Sequence, residues 1–275
     1  MSIIADSYPF ERYPHCWYFF AEVRSMRRGS CHKVRFCNET YDLDIDRNGN
    51  PTLRAELATV MVDGRMFAYW GDPKKAIAAP STAVTFPQEG WSQTFHRGYN
   101  VKTHIQEIVE NAADLAHFQC LHHYVDIPTV DAFTIDKTRF TVNMRAPRQM
   151  FGLTTHSVLD TTYDGLAVVE TDIVARDLSV KIMLTGTPRY DDVLELNLWF
   201  SLKKCGPLRD LFYRAVVPRM MTREFTNDVP IWENKIYKSR AVLCESERNI
   251  ALVRKWSRQF YEDPKRRSIS SGVIS

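Results

Sequence analysis

Apolar and polar residues alternate in two short runs near the start of the chain, at residues 33–36 and 41–45. A period of two is typical of β-strands that bury one face. Asn48-Gly49 and Asp63-Gly64 follow these runs, and both dipeptides favour the positive φ angles of tight hairpin turns. We therefore predict a small antiparallel β unit over residues 11–72.

The middle of the chain combines one long apolar segment with a series of strand-like runs. Residues 101–122 would be apolar on almost every side of a helix, which predicts that this helix is buried. Asp164-Gly165 and Pro188 separate the runs that follow, as the turns of an antiparallel sheet would. The predicted strands are Phe133–Met144, Gly152–Leu159, Ala167–Ala175, Val180–Thr187 and Leu194–Leu202.

The last third of the chain has the pattern of helices. A helical stretch starts over residues 208–213 and continues over residues 223–237, and a last helix spans residues 247–261 with apolar residues at helical spacing. The basic run from Lys265 onward predicts a solvated end. These patterns together predict an α+β fold. The two predicted domains are residues 1–80 and residues 81–275.

Composition and motifs exclude several classes of protein. The 275 residues are 44% hydrophobic and 25% charged, which is ordinary for a globular protein. No GxGxxG, GxxxxGK(S/T) or GxSxG motif occurs, which excludes the dinucleotide fingerprint, the P-loop and the nucleophile elbow. The formal net charge of +3 is too small to indicate binding to nucleic acid.

The sequence also predicts a cytoplasmic protein without a membrane span. No apolar run approaches the length of about 20 residues that a spanning helix needs, and the first residues lack the basic and apolar regions of a secretory signal. The six cysteines are scattered and include no CxxC pair. In a chain of this size, that pattern is typical of reduced thiols.

Candidate chemistry is concentrated in the apolar segment before residue 122. Asn111, Asp114 and His117 recur at every third position there, although burying a polar group without a partner costs about 1–3 kcal/mol. His117 and His122 are five residues apart, about 140° around an ideal helix. A widened turn, or a helix that ends near His122, would bring the two imidazoles together.

Two histidines and a distant carboxylate form the facial triad of mononuclear non-haem iron(II) sites. Asp228 is the candidate carboxylate, whereas His123 is predicted to be a neighbour and not a ligand. The structural alternatives are that His117 and His122 have their hydrogen bonds satisfied in the core, that Asp228 is a helix cap or an ion-paired acid, and that Asp114 forms an ion pair within its own helix.

Two separate segments carry a specific resemblance. Glu110–His122 resembles the E/D-N-x-x-D-x-x-H-F-x-x-x-H motif of Rieske non-haem iron oxygenases, in the branch that contains 3-ketosteroid 9α-hydroxylase and cholesterol 7-desaturase oxygenases. Asn227–Lys235 and Val253–Tyr261 are similar to the D-V-x-I-W-x-x-K and R-x-W-Y-x-Q-F-Y segments of that branch. The resemblance covers roughly residues 90–262.

This resemblance implies a role for each polar residue of the motif. His117, His122 and Asp228 would be the iron ligands. Asp114 would be the bridging carboxylate that receives electrons from a neighbouring subunit's cluster and hydrogen-bonds a ligand imidazole, with Asn111 beside the ligands. The family implies a helix-grip catalytic domain, which is an antiparallel sheet over a long helix.

The chain departs from the family at the cluster. A Rieske [2Fe–2S] centre needs two cysteines and two histidines, which this family supplies in C-x-H and C-x-x-H loops. Only Cys120 has a histidine at those spacings, and it lies inside the iron motif. Residues 51–62, where the cluster-bearing part would be inserted, contain neither Cys nor His. We therefore expect a truncated Rieske-like β unit at the N-terminus without an in-chain [2Fe–2S] cluster.

The sequence thus predicts the catalytic component of a heteromeric Rieske-type monooxygenase. It would use Fe(II) and O2 to hydroxylate, desaturate or demethylate a small hydrophobic substrate, for which a steroid-like ligand is one candidate. Electrons would come from a cluster-bearing Rieske oxygenase subunit or a Rieske-containing reductase. NAD(P)H would act only through a reductase. The family also implies head-to-tail trimers. The alternatives are a non-catalytic structural or regulatory subunit, a lipid-binding module and a hydrolytic zinc enzyme.

Overall fold

The computed structural model describes the segment of the predicted iron motif and most of the chain around it. The described residues are 11–80, 89–122, 124–150, 152–238, 241–243 and 247–261. His123 and the predicted basic end from Lys265 lie outside these ranges.

Two three-stranded antiparallel sheets make up the N-terminal part of the protein. The turns predicted for this part are present, with φ angles of 94° at Gly49, 47° at Asp63 and 72° at Gly64. The prediction of a small antiparallel β unit over residues 11–72 is therefore confirmed. One sheet has the order β1-β6-β5, from β1 (Trp17–Glu22), β5 (Thr59–Val62) and β6 (Arg65–Tyr69). The other has the order β2-β3-β4, from β2 (Ser30–Phe36), β3 (Glu39–Ile45) and β4 (Pro51–Leu53).

A seven-stranded antiparallel sheet forms the larger part, in the order β7-β13-β12-β11-β10-β9-β8. The predicted strand over residues 133–144 is wrong, because Lys137 adopts a φ of 49° and begins a hairpin between two strands. The strands are β7 (Phe95–Lys102), β8 (Thr129–Asp136), β9 (Arg139–Met150), β10 (Leu153–Asp164), β11 (Val168–Ala175), β12 (Leu178–Tyr190) and β13 (Val193–Leu202).

The described helices are α1 (Ile105–Asn111), α2 (Ala116–Cys120), α3 (Pro207–Asn234) and α4 (Arg248–Ser257). The predicted single helix over residues 101–122 is wrong in two respects. Val101 belongs to strand β7, where it pairs with Leu194, and the helical segment is interrupted between α1 and α2. Helix α3 is continuous across Pro218 and joins the two segments, 208–213 and 223–237, over which the sequence pattern predicted a helical stretch; it ends at Asn234.

One hydrophobic core joins the N-terminal sheets to the seven-stranded sheet. Phe20 and Phe36 on one side and Leu196 and Phe200 on the other belong to the same cluster of buried residues. Helix α1 approaches strand β12 so closely that a Cβ atom at position 186 would lie 2.4 Å from Ile105 Cδ1, so a larger residue there would displace this side chain. The predicted α+β fold is confirmed, while the domain boundary at residue 80 stays a prediction.

Two further sequence predictions concern the membrane and the cysteines. None of the described helices combines the length and the apolar character that crossing a bilayer requires. The five cysteines within the described ranges are free thiols: Cys16, Cys31, Cys37, Cys120 and Cys205.

Candidate metal centre

Three predicted ligand residues meet at one point beneath the seven-stranded sheet. One ligand atom from each of His117, His122 and Asp228 lies within 4.8 Å of the other two. The Nε2 atom of His122 is 3.3 Å from Asp228 Oδ1. Residues from two distant segments therefore converge as a two-histidine, one-carboxylate set.

The end of helix α2 places the two histidines together. The N–H groups of Leu121 and His122 both donate to the carbonyl of His117, at 2.7 and 3.4 Å. The second bond spans five residues, as in a π-turn, and it widens the backbone where the helix ends. The ring centroids of His117 and His122 are consequently only 5.1 Å apart, nearly perpendicular to one another.

Asp228 contributes its carboxylate from the interior face of the long helix α3. The residue is 6% exposed, and its buried Oδ1 atom faces His122 Nε2 at 3.3 Å. Burial of a carboxylate is costly, and a bound cation lowers that cost. The donor set fits iron(II), for which two imidazoles and one carboxylate leave open coordination positions, and zinc accepts the same donors.

Hydrogen bonds orient His117 for metal binding. Its Nδ1 atom contacts the main-chain carbonyl of Asp114, and its Nε2 atom lies 3.3 Å from Asn111 Nδ2. Because a carbonyl accepts only, Nδ1 carries the proton, and the unprotonated Nε2, which accepts from the Asn111 amide, is the nitrogen that could bind a metal. Burial lowers the pKa of His117, which favours this neutral form. Asp114 thus accepts the expected hydrogen bond of a ligand imidazole through its main-chain carbonyl and not through its carboxylate.

Glu224 is a site residue that sequence reasoning missed. Its Oε2 atom lies 2.8 Å from Nδ1 of His122. Burial disfavours the charged form of His122, but the contacts with Asp228 and Glu224 outweigh burial and raise the pKa of His122 to about 9. Glu224 stands four residues before Asp228 and therefore on the same helix face, a spacing that was the available signal.

A buried ion cluster behind the ligands was also missed. Glu110, which precedes Asn111, is 1% exposed and receives two hydrogen bonds from Arg254, at 3.0 and 2.8 Å. Lys235 contacts both Glu110 and Glu107, which is also 1% exposed. The cluster therefore links α1, the end of α3 and α4, the elements around the ligand set. Lys235 and Arg254 belong to the downstream motif segments, which was a signal that these cations matter.

Removing the main cation of this cluster is expected to destabilise the protein. Arg254→Met leaves Glu110 buried with only Lys235 as a cationic partner, and we expect a loss of about 3 kcal/mol in the free energy of unfolding. The matched control is Lys255→Met at the neighbouring exposed position, for which we expect a change within about 0.5 kcal/mol. Urea denaturation measures both values, and equal stabilities would contradict a structural role for the Arg254–Glu110 pair.

A cavity of about 210 Å³ adjoins the three ligands. Strands of the sheet supply most of its apolar wall, and Thr161 and Thr171 form a hydrogen-bonded pair, 3.1 Å apart, within it. The carboxylates that line the cavity are Glu224 and Asp228. A cavity with apolar walls and ionisable groups at one end suits a small hydrophobic ligand held next to the metal. Apolar wall residues include Met144, Leu159, Ile173, Leu184 and Leu198.

Comparisons with known proteins find similar sequences and folds. Residues 69–261 match the family model of the 3-ketosteroid 9alpha-hydroxylase C-terminal domain. The chain is 24% identical over 226 residues to a 3-ketosteroid-9-alpha-monooxygenase, oxygenase component, of Rhodococcus rhodochrous, which covers 74% of this chain and 56% of that protein. It is 26% identical over 188 residues to a cholesterol 7-desaturase of Xenopus laevis, which covers 59% of this chain and 41% of that protein. The chain thus spans about half the length of these relatives.

Solved structures share the fold. The crystal structure of dicamba monooxygenase bound to 3,6-dichlorosalicylic acid superposes with a TM-score of 0.67 at 11% identity, and the alignment covers 94% of this chain and 99% of that one. A structure of the protein NdmA of Pseudomonas putida with caffeine gives a TM-score of 0.63 at 12% identity, covering 89% and 90% of the two chains. At these identities the likeness concerns the fold.

Proposed function

The chain belongs to the family of the 3-ketosteroid 9alpha-hydroxylase C-terminal domain, and on that premise we propose that it is the iron-binding catalytic component of a Rieske-type oxygenase. It binds one ferrous ion through His117, His122 and Asp228 and oxidises a small hydrophobic, steroid-like substrate with O2. The observation that carries this proposal is the convergence of the three donors, with the buried carboxylate of Asp228 3.3 Å from His122 Nε2.

Each ligand histidine has a partner that orients its ring for the metal. The carbonyl of Asp114 accepts the Nδ1 proton of His117. Glu224 lies beside Nδ1 of His122 and holds the proton of that ring on the side away from Asp228. Both Nε2 lone pairs therefore point towards the bound ion. Iron held by two imidazoles and one carboxylate supplies open positions for O2 and the reducing power to activate it.

Electrons enter from outside the chain in this proposal. The carboxylate of half-buried Asp114 lies in the connection between α1 and α2, next to ligand His117. It forms the bridge to a Rieske cluster on a partner, either a cluster-bearing oxygenase subunit in a head-to-tail assembly or a Rieske-containing reductase. NAD(P)H is consumed by the reductase and does not bind here. The lack of a C-x-H and C-x-x-H pair outside the iron motif supports an external cluster.

The metal affinity is expected to depend steeply on pH. Without metal the pKa of His122 is about 9, so the ion must displace a proton below that pH. We expect the association constant to rise about tenfold per pH unit between about pH 6.5 and 8.5 and to level off above the pKa. Anaerobic Fe(II) or Co(II) titrations measure this slope.

The matched control for this slope is Glu224→Gln. The amide keeps the shape of the side chain but removes its charge, so the pKa of His122 falls and the slope becomes shallower in this variant. An affinity that does not change with pH in the unsubstituted protein would contradict the proton displacement.

Reconstitution with a partner tests the proposed function. The iron-loaded chain, a Rieske-containing partner and its reductase are mixed with a 3-ketosteroid, NADH and isotopically labelled O2, and mass spectrometry follows the steroid. We expect labelled product that requires both the chain and the partner. His122→Ala is the control: if this variant supports the same product formation, the chain is a non-catalytic subunit and the proposal fails.

A further inference from the structure

Helix α3 carries two opposite apolar faces over its first half. Tyr213, Val217 and Met221 face inward, where Val217 is completely buried and the other two pack against the core. Successive residues rotate by about 100° around a helix, so Leu208, Leu211 and Phe212 lie on the opposite side. These three side chains are 85%, 71% and 47% exposed. The solvent side of a surface helix is normally polar, so this stripe needs an explanation.

Cationic residues surround the exposed stripe. The segment 203–223 contains six cations, and Asp210 is its single carboxylate. Arg209 and Arg214 lie on the two flanks of the stripe, about 100° to one side and 120° to the other side of Leu208 on the helical wheel. Asp210 and Asp177, which pairs with Arg209 at 2.5 Å, offset two of the six positive charges, so a net charge of +4 remains. The other cations are Lys203, Lys204, Arg219 and Arg223.

A cavity of about 280 Å³ opens beside this stripe, separate from the metal centre. Lys203, Lys204 and Arg214 line it together with one carboxylate, that of Asp210. Two ammonium groups and one guanidinium outnumber this carboxylate, so the cavity favours an anion such as a phosphate group.

We propose that this face of the protein docks on the surface of an anionic phospholipid bilayer. Leu208, Leu211 and Phe212 enter the boundary between headgroups and acyl chains, the flanking arginines contact anionic headgroups, and one lipid phosphate occupies the cavity beside Lys203 and Lys204. The stripe protrudes, since Leu208 in the first turn is 85% exposed. An apolar edge with cations on both flanks is the arrangement by which an interfacial helix binds an anionic bilayer.

The same helix links this surface to the metal centre. Met221 and Phe225, further along α3, line the cavity next to the ligands. Docking would therefore hold the protein at the bilayer, in which hydrophobic substrates dissolve. This consequence rests on the proposed function. The membrane contact itself does not depend on iron or turnover.

Co-sedimentation of the full-length, metal-free chain with lipid vesicles tests this proposal. We expect binding to phosphatidylcholine vesicles that contain phosphatidylglycerol, binding about tenfold weaker to pure phosphatidylcholine, and weakening by added salt. Leu208→Ser/Leu211→Ser and Lys203→Glu/Lys204→Glu should each reduce binding about tenfold or more. The matched control is Ile231→Ser/Ile236→Ser, which removes two apolar residues that are 50% and 56% exposed outside the basic segment, and it should bind like the unsubstituted chain.

Circular dichroism and thermal unfolding check that each variant is folded. Equal binding to neutral and anionic vesicles, or unchanged binding by both double variants of the basic face, would overturn the proposal. So would the absence of vesicle binding. If the chain then also self-associates and Leu208→Ser/Leu211→Ser removes this association, the stripe is an interface between copies of the chain.

Discussion

Replacement of His122 by alanine is expected to abolish iron binding. The substitution removes one of three ligands and also the ring that contacts both Asp228 and Glu224, at 3.3 and 2.8 Å. The two carboxylates would then face the ion without the second imidazole. Loss of a residue that only supports a ligand costs about 10–100-fold in metal affinity, so we expect loss of a ligand to exceed about 100-fold.

Iron content after anaerobic reconstitution measures this effect, with circular dichroism as a check on folding. The control is His96→Ala, since His96 is exposed and hydrogen-bonds Asn197, on the face of strand β13 opposite to the cavity-lining Leu198. This control should retain one iron per chain. A His122→Ala protein that retains the same iron content would show that His122 is not a ligand.

Replacement of Asp114 by alanine is expected to leave iron bound but nearly to abolish turnover. The main-chain carbonyl of Asp114 accepts the hydrogen bond that orients His117, and alanine keeps that carbonyl. The ligand geometry should therefore survive while the bridging carboxylate is lost. We expect turnover to fall by at least about 100-fold, as it does when a positioned hydrogen-bonding group is removed from a reaction path.

The measurement pairs iron content with product formation in the reconstituted system. Asp126→Ala, which removes an exposed carboxylate further along the same segment, is the control and should leave both quantities unchanged. Full activity of Asp114→Ala would eliminate the bridging role, whereas loss of iron would show that the side chain holds the site together.

Local sequence patterns predict much of the fold, and they fail where a short segment has no distinctive pattern. The Gly-containing turns after Asn48 and Asp63 are correct because few residues other than glycine and asparagine adopt positive φ easily. Val101 was predicted to start a helix, but it is a single apolar residue between Asn100 and Lys102, and such a segment has no period that separates the end of a strand from the start of a helix. The turn at Lys137 escaped prediction because lysine at positive φ gives no sequence signal.

The candidate site shows the same division between local and long-range information. The motif segments contain His117, His122 and Asp228, and the structure brings their ligand atoms together. The spacing of Glu224 and Asp228 was a local signal, whereas the ion pair of Glu110 is a long-range contact; Arg254, which pairs with Glu110, is 144 positions away. The orientation of His117 by the backbone of Asp114 was not predictable either, because a residue pattern says nothing of which carbonyl is close.

Anomalous diffraction at the iron absorption edge, from crystals grown anaerobically with Fe(II), tests the central claim most directly. The account predicts one strong peak enclosed by His117 Nε2, His122 Nε2 and an oxygen of Asp228, and loss of that peak in crystals of His122→Ala. A map with no peak among these three side chains, or an iron peak elsewhere in the protein, would contradict it.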